Sequence, residues 1–174
     1  VLLPSFHTSL WFDESYSVAI ASHPINEIWT IGSYDVHPVL YYIMLHILGI
    51  FTNGSILSYR IFSAVPLIIL GILGLTHIKK DFGEKVGLIF SFLVLFMPVT
   101  FVYSSEIRMY SWGMLFITLT AIYAYRIYKS GVSKKNWVIF SIFSLAAAYI
   151  HYYGLIAAFV LNITLFLYFL INNI

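Results

Sequence analysis

The sequence predicts an all-α protein, a multispan transmembrane helical bundle with juxtamembrane helices in a long first outer loop. Three observations carry that prediction. Of the 174 residues, 61% are hydrophobic and 9% charged, with a mean hydropathy of +0.92, which excludes an ordinary soluble domain. Long apolar runs recur, and the chain has room for about five helices of the roughly 20 residues needed to cross about 30 Å of hydrocarbon. The charges segregate between alternate gaps. Lys79, Lys80, Lys85, Arg126, Lys129, Lys134 and Lys135 fill two gaps. Asp13, Glu14, Glu27, Asp35 and Glu106 fill the others, with most of the histidines and with Arg60 and Arg108. Basic short loops mark the cytoplasmic side, so the acidic side is outer and any chemistry belongs there. The net charge of +2 is too small to argue for nucleic acid, and the basic part is topogenic. Zero cysteines remove disulfides and thiolate metal sites without identifying a compartment. The expected location is a multi-pass protein of the cell membrane, its active face extracytoplasmic.

In chain order, Val1–Phe12 is too short to span and reads as the outer end of a truncated first helix, a cleaved signal peptide being the alternative. Residues 13–58 form the first outer loop, within a single transmembrane domain of residues 1–174. Inside that loop, Ser15–Ala21 and Ile25–Ile31 read as short helices divided by Ser22-His23-Pro24. His37-Pro38 predicts an extended residue followed by a proline at the first helical position. The apolar Val39–Phe51 is too short to span and suits an interfacial helix stopped by Asn53-Gly54. Spans follow at about Ser58–Ile78, with Pro66 as a tolerated kink, and at Val86–Tyr103, with Pro98 near its outer end. Met109–Tyr128, Trp137–Ile150 and Leu155–Leu170 complete the set. A single helix over Val86–Tyr128 is excluded, because it would bury Glu106 and Arg108 near mid-membrane at about 2.5–3.5 kcal/mol each.

Each polar group has a plain reading beside a chemical one. Asp13-Glu14 can cap a helix and favour its dipole; adjacent residues diverge by about 100° on a helix, so at most one enters a given cleft. Asp35-Val36-His37-Pro38 can be a capped turn, and Tyr41, Tyr42 and Trp29 interfacial aromatics. Glu106 and Arg108, two residues apart, do not face each other on a helix, so each wants a partner from the outer loop or a ligand. His151-Tyr152-Tyr153 occupies a tight outer turn on the same side. No His-x-x-x-His spacing supports a metal site, and the sequons at Asn53 and Asn162 read as chance.

Four ordered motifs then resemble one family. Leu10-Trp11-Phe12-Asp13-Glu14-Ser15-Tyr16-Ser17 resembles the first-outer-loop acidic motif of the polyprenyl-phosphate-sugar glycosyltransferases of the GT-C fold, the protein O-mannosyltransferase-like and aminoarabinose-transferase-like enzymes. Asp35-Val36-His37-Pro38-Val39-Leu40-Tyr41-Tyr42 resembles their Asp-x-His-Pro-Pro-Leu-Tyr-Tyr segment, with Val39 in place of the second proline. Ser105-Glu106-Ile107-Arg108-Met109-Tyr110 resembles Ser-Gln-Glu-Ala-Arg-Met-Tyr, and Tyr149-Ile150-His151-Tyr152-Tyr153 a Thr-His-Tyr element. Arg60, before Pro66, matches in position. The resemblance implies inverting transfer of a sugar from a polyprenyl-phosphate donor, lodged in the bilayer, to a hydroxyl of a protein, lipid or glycan. It implies Asp13 as catalytic base, Arg108 as phosphate ligand, and Glu106, His37 and His151 orienting sugar, phosphate or a divalent cation; the metal stays open. Glu14, Asp35, Tyr110 and Tyr152 complete the implied substrate-binding set. Family members carry more spans, so the chain reads as the N-terminal portion of a larger module. The alternatives are a small multispan transporter using Glu106, Arg108 and His151, or a non-catalytic membrane subunit.

Overall fold

The computed structural model describes residues 9–131 and 133–172. The reading of Val1–Phe12 lies mostly outside them; Phe12 itself opens the first helix. The described residues are all-helical, with no strand. Three short helices come first: α1 (Phe12–Ala21), α2 (Ile25–Ser33) and α3 (Leu40–Thr52). Long ones follow: α4 (Ile56–Leu73), continued through a π-helical turn (Gly74–Ile78) into α5 (Lys79–Phe82); α6 (Glu84–Phe96) and α7 (Pro98–Ser105); α8 (Tyr110–Ser130); α9 (Lys134–Ile150); and α10 (Tyr152–Ile171).

Every predicted span forms helix, but not all meet the same standard. Ile56–Phe82 and Tyr152–Ile171 are long and apolar enough to cross a membrane, and α6 with α7 passes as a third only as a pair bent by 53°. Pro98 causes that break. It stands at the first position of α7, where its missing N–H costs nothing, and holds Met97 extended. The expected single helix over Val86–Tyr103 is therefore two. α9 falls short by length, at 17 residues, and α8 by its serines, threonines and tyrosines.

Several of those polar residues of α8 point inward. Ser111 and Thr120 are buried, because α8 packs against α4, α9 and α10. Pro66 helps to lock α4 to α8. A helical proline lacks the N–H that would bond the carbonyl four residues back, and the freed Phe62 carbonyl accepts the Trp112 Nε1–H at 3.2 Å. The neighbouring Ser63 carbonyl accepts the Ser111 hydroxyl.

α4 and α6 meet through small residues. The Ser91 hydroxyl donates to the Gly71 carbonyl at 2.8 Å, and a methyl group on Gly87 would overlap the Gly74 carbonyl oxygen. Gly87→Val is expected to destabilise the folded protein by about 1–3 kcal/mol through overpacking, read as a lowered midpoint of unfolding in detergent. Large apolar side chains are exposed on the outside of α6 and α10, among them Phe92, Phe96, Phe159 and Phe166.

The short helices close one end of this bundle. α3 starts at Leu40 rather than at Pro38, and ends at Asn53, which takes the left-handed conformation (φ 51°) before Gly54 (φ 67°). His46 on α3 donates Nδ1–H to the Ala21 carbonyl of α1 at 2.9 Å. At the other end Arg126 Nε meets Asp81 at 2.7 Å and Lys79 meets Glu84 at 2.7 Å. From Tyr110 to Arg126, α8 spans about 24 Å between the acidic and the basic end.

Candidate functional site at the acidic end

The neighbouring carboxylates of α1 take opposite roles. Glu14 turns inward and is buried. It accepts hydrogen bonds from Arg60 Nη2 at 3.1 Å, the Ile107 N–H at 3.0 Å and the Trp11 N–H at 3.3 Å. One carboxylate thus ties α1 to α4 and to the turn before α8. Both side chains of the Glu14–Arg60 pair are 4% exposed, so Glu14 offers nothing to a substrate. Asp13 turns the other way. Its carboxylate is 36% exposed and lines a cleft of about 400 Å³ with Tyr16, Asp35, His37 and Arg108.

Arg108 organises that cleft. The 106–109 turn between α7 and α8 is not helical, so Glu106 and Arg108 are free of helical spacing. The guanidinium is buried; its Nη2 lies 2.8 Å from His37 Nε2 and 3.8 Å from the Asp13 carboxylate. Its Nη1 reaches the Ser17 hydroxyl at 3.3 Å and the Asp13 carbonyl at 3.4 Å. Asp35 holds the loop that presents His37: its carboxylate accepts from Tyr16 at 3.1 Å, Tyr42 at 2.8 Å and the Val36 N–H at 2.7 Å. With three donors satisfied, Asp35 acts as a clamp on that loop. Burial, then the Asp35 carboxylate, push both phenols above the usual tyrosine range.

Glu106 lies behind this constellation, with a buried Oε2 that has no hydrogen-bond partner among the described residues. Burial, then the Glu14 charge, push its carboxyl above the usual range, Arg108 pulling the other way. A carboxyl raised on folding contributes stability below its unfolded value near 4.5 and loses it as pH rises through the folded value. Glu106→Gln is therefore expected to raise the melting temperature more at pH 8 than at pH 5, measured as thermal unfolding across that range.

A second cavity begins at His37. This groove of about 540 Å³ is lined by His37, Tyr110 and His151 at its polar end and by Gly113, Met114 and Ile117 below. The His37 and His151 rings are 5.2 Å apart, and Tyr110 lies 6.1 Å from His151 and 5.8 Å from the Arg108 guanidinium. His37 belongs to both cavities, one polar and one apolar. Tyr152 does not join them. As the first residue of α10 it faces a separate aromatic cleft with Trp29, Pro38 and Tyr149, because the turn contracts to His151 alone.

The site thus brings together Asp13, His37, Arg108, Tyr110 and His151, with Glu106 half-buried beside them. Glu14 is scaffold, Asp35 both clamps the loop and lines the cleft, and Tyr152 is elsewhere. Sequence reasoning missed Ser17 and the partnership of Arg60 with Glu14; the four-residue step from Asp13 to Ser17 on α1 was the available signal. Among the described residues no three histidine, aspartate or glutamate side chains are placed to hold a metal ion. In comparisons with protein-family models, curated proteins and solved structures, nothing matches the chain.

Proposed function

We propose that this chain forms the acidic-loop end of a membrane glycosyltransferase of GT-C type, which transfers a sugar from a polyprenyl phosphate to a hydroxyl at the extracytoplasmic face, with inversion. The observation that carries the reading is His37 as the common wall of two unlike cavities. One is open, polar and holds the Asp13 carboxylate, which suits a hydroxyl-bearing acceptor. The other is apolar and runs between α8 and α10, which suits a lipid tail. The anomeric carbon would sit at their junction. The acceptor hydroxyl loses its proton to Asp13 as its oxygen attacks that carbon, and the carbon–oxygen bond to phosphate breaks with the electron pair leaving on the phosphate. Arg108, buried and fixed by Ser17 and His37, would oppose the negative charge gathering there.

The reading takes α4–α5, α6–α7, α8, α9 and α10 as five membrane-embedded elements, α8 tolerating its polar residues because its neighbours shield them. The lysine-rich end then faces the cytoplasm. A transporter would place its ionisable groups near the midplane of broken helices. Here Asp13, His37, Arg108 and His151 gather at helix ends, which favours transfer chemistry. The test incubates the membrane-inserted protein with a polyprenyl-phosphate sugar and an alcohol acceptor. A glycoside of opposite anomeric configuration supports the proposal; no transfer, or retained configuration, overturns it.

A further inference from the structure

Two hydrogen bonds fix the protonation of the histidine pair. An arginine N–H can only donate, so His37 Nε2, 2.8 Å from Arg108 Nη2, must accept. A backbone N–H can only donate, so His151 Nδ1, 3.1 Å from the Tyr153 nitrogen, must accept as well. An imidazolium has no acceptor, so both rings are neutral: His37 carries its proton on Nδ1 and His151 on Nε2. His37 Nδ1 is buried and has no partner among the described residues. A buried N–H without an acceptor is costly, and a bound acceptor would relieve it.

Charge tells which ligand fits. The carboxylates of Asp13 and Asp35 line the cleft on one side of His37, whereas the groove on the other side has no carboxylate in its described lining. There the groups that oppose a charge on His151 are the neighbouring His37 ring and the Arg108 guanidinium. Below the histidines the groove is lined by Gly113, Met114 and Ile117, with Thr118 its one hydroxyl there.

We propose that His37 and His151 are a pair of neutral N–H donors that read the anionic head of an amphiphile, a phosphoryl oxygen on a lipid whose tail occupies the α8–α10 groove. This rests on the donor-lipid reading above and assigns its headgroup recognition to two uncharged rings beside Arg108. Burial lowers the basicity of both; for His37 the Arg108 charge adds to it against the pull of Asp35 and Asp13, and for His151 the neighbouring His37 and then Arg108 add to it, so the donors stay neutral at physiological pH.

Two substitutions remove one donor each and leave the other bonds standing. In His151→Asn the amide oxygen replaces Nδ1 as acceptor at the start of α10, a position that asparagine favours, and the distal N–H is lost. In His37→Gln the amide oxygen replaces Nε2 as acceptor for Arg108, and the Nδ1–H is lost. The protein in nanodiscs is titrated with a polyprenyl monophosphate, the corresponding prenol and inorganic phosphate, with ³¹P and imidazole ¹⁵N spectra as readout. The expected result is an Nδ1–H tautomer for His37, an Nε2–H tautomer for His151, and binding of the polyprenyl phosphate weakened about tenfold or more in each variant. The prenol binds at least tenfold more weakly than its phosphate. Wild-type binding in both variants, the opposite tautomers, or an imidazolium at pH 7 overturns the proposal. Inorganic phosphate binding as tightly as the lipid also overturns it, by removing the amphiphile. None of these readouts needs sugar transfer, so tight histidine-dependent binding without turnover sustains this assignment while the transfer reading falls.

Discussion

Replacing Glu14 by alanine is expected to cost about 3–5 kcal/mol of stability, a large effect for a single substitution. The reason is position as much as charge. The carboxylate accepts from Trp11, Arg60 and Ile107, three donors brought from α1, α4 and the 106–109 turn, and it is sealed from water with them. Alanine leaves the Arg60 guanidinium buried without that counter-charge, and the desolvation cost of the pair is no longer offset. The double replacement Glu14→Met with Arg60→Met should recover most of the loss, because two apolar side chains of similar length fill the same space. Thermal unfolding of the three proteins in one detergent measures both effects. A double variant no more stable than Glu14→Ala would show that the hydrogen bonds to Ile107 and Trp11, rather than the buried charge, hold the end of the bundle.

Asp13→Asn separates chemistry from architecture. On the proposed reading it removes the proton acceptor and lowers turnover by about 10²–10⁴-fold, the usual contribution of a positioned base. Its effect on stability should stay within about 1 kcal/mol, since the carboxylate is partly open to solvent and 3.8 Å from Arg108, whose bonds to the Asp13 carbonyl and Ser17 persist. Affinity for the lipid donor should be nearly unchanged, so the loss appears in kcat rather than in binding. Steady-state turnover with direct measurement of donor binding checks all three quantities. Undiminished turnover would remove Asp13 from the role of base.

The helices were legible because most apolar runs end at charges, proline or Asn-Gly, and those stops work through local chemistry. The 53° bend was not, because Pro98 reads equally as a tolerated kink and as the first residue of a new helix. Nor was the polar content of α8 readable as burial, since the side chains that cover Ser111 and Thr120 come from helices remote in sequence. At the site, the divergence of adjacent residues on a helix told that Asp13 and Glu14 cannot share one task. It did not tell which of them faces the cleft. That choice is made by Arg60, 46 positions further along, whose pairing with Glu14 only tertiary structure creates. Tyr152 was misplaced for a related reason: one residue more or less in the turn rotates a side chain by about 100° onto another helix face.

His37 has one more consequence. On the proposed reading its two cavities open from different phases, the one lined by Asp13 from the aqueous layer and the one between α8 and α10 from the hydrocarbon. A lipid arriving sideways and a water-borne alcohol arriving from above therefore need not wait for each other. The kinetic scheme that follows is random-order addition through a ternary complex, and double-reciprocal plots at varied donor should intersect rather than run parallel.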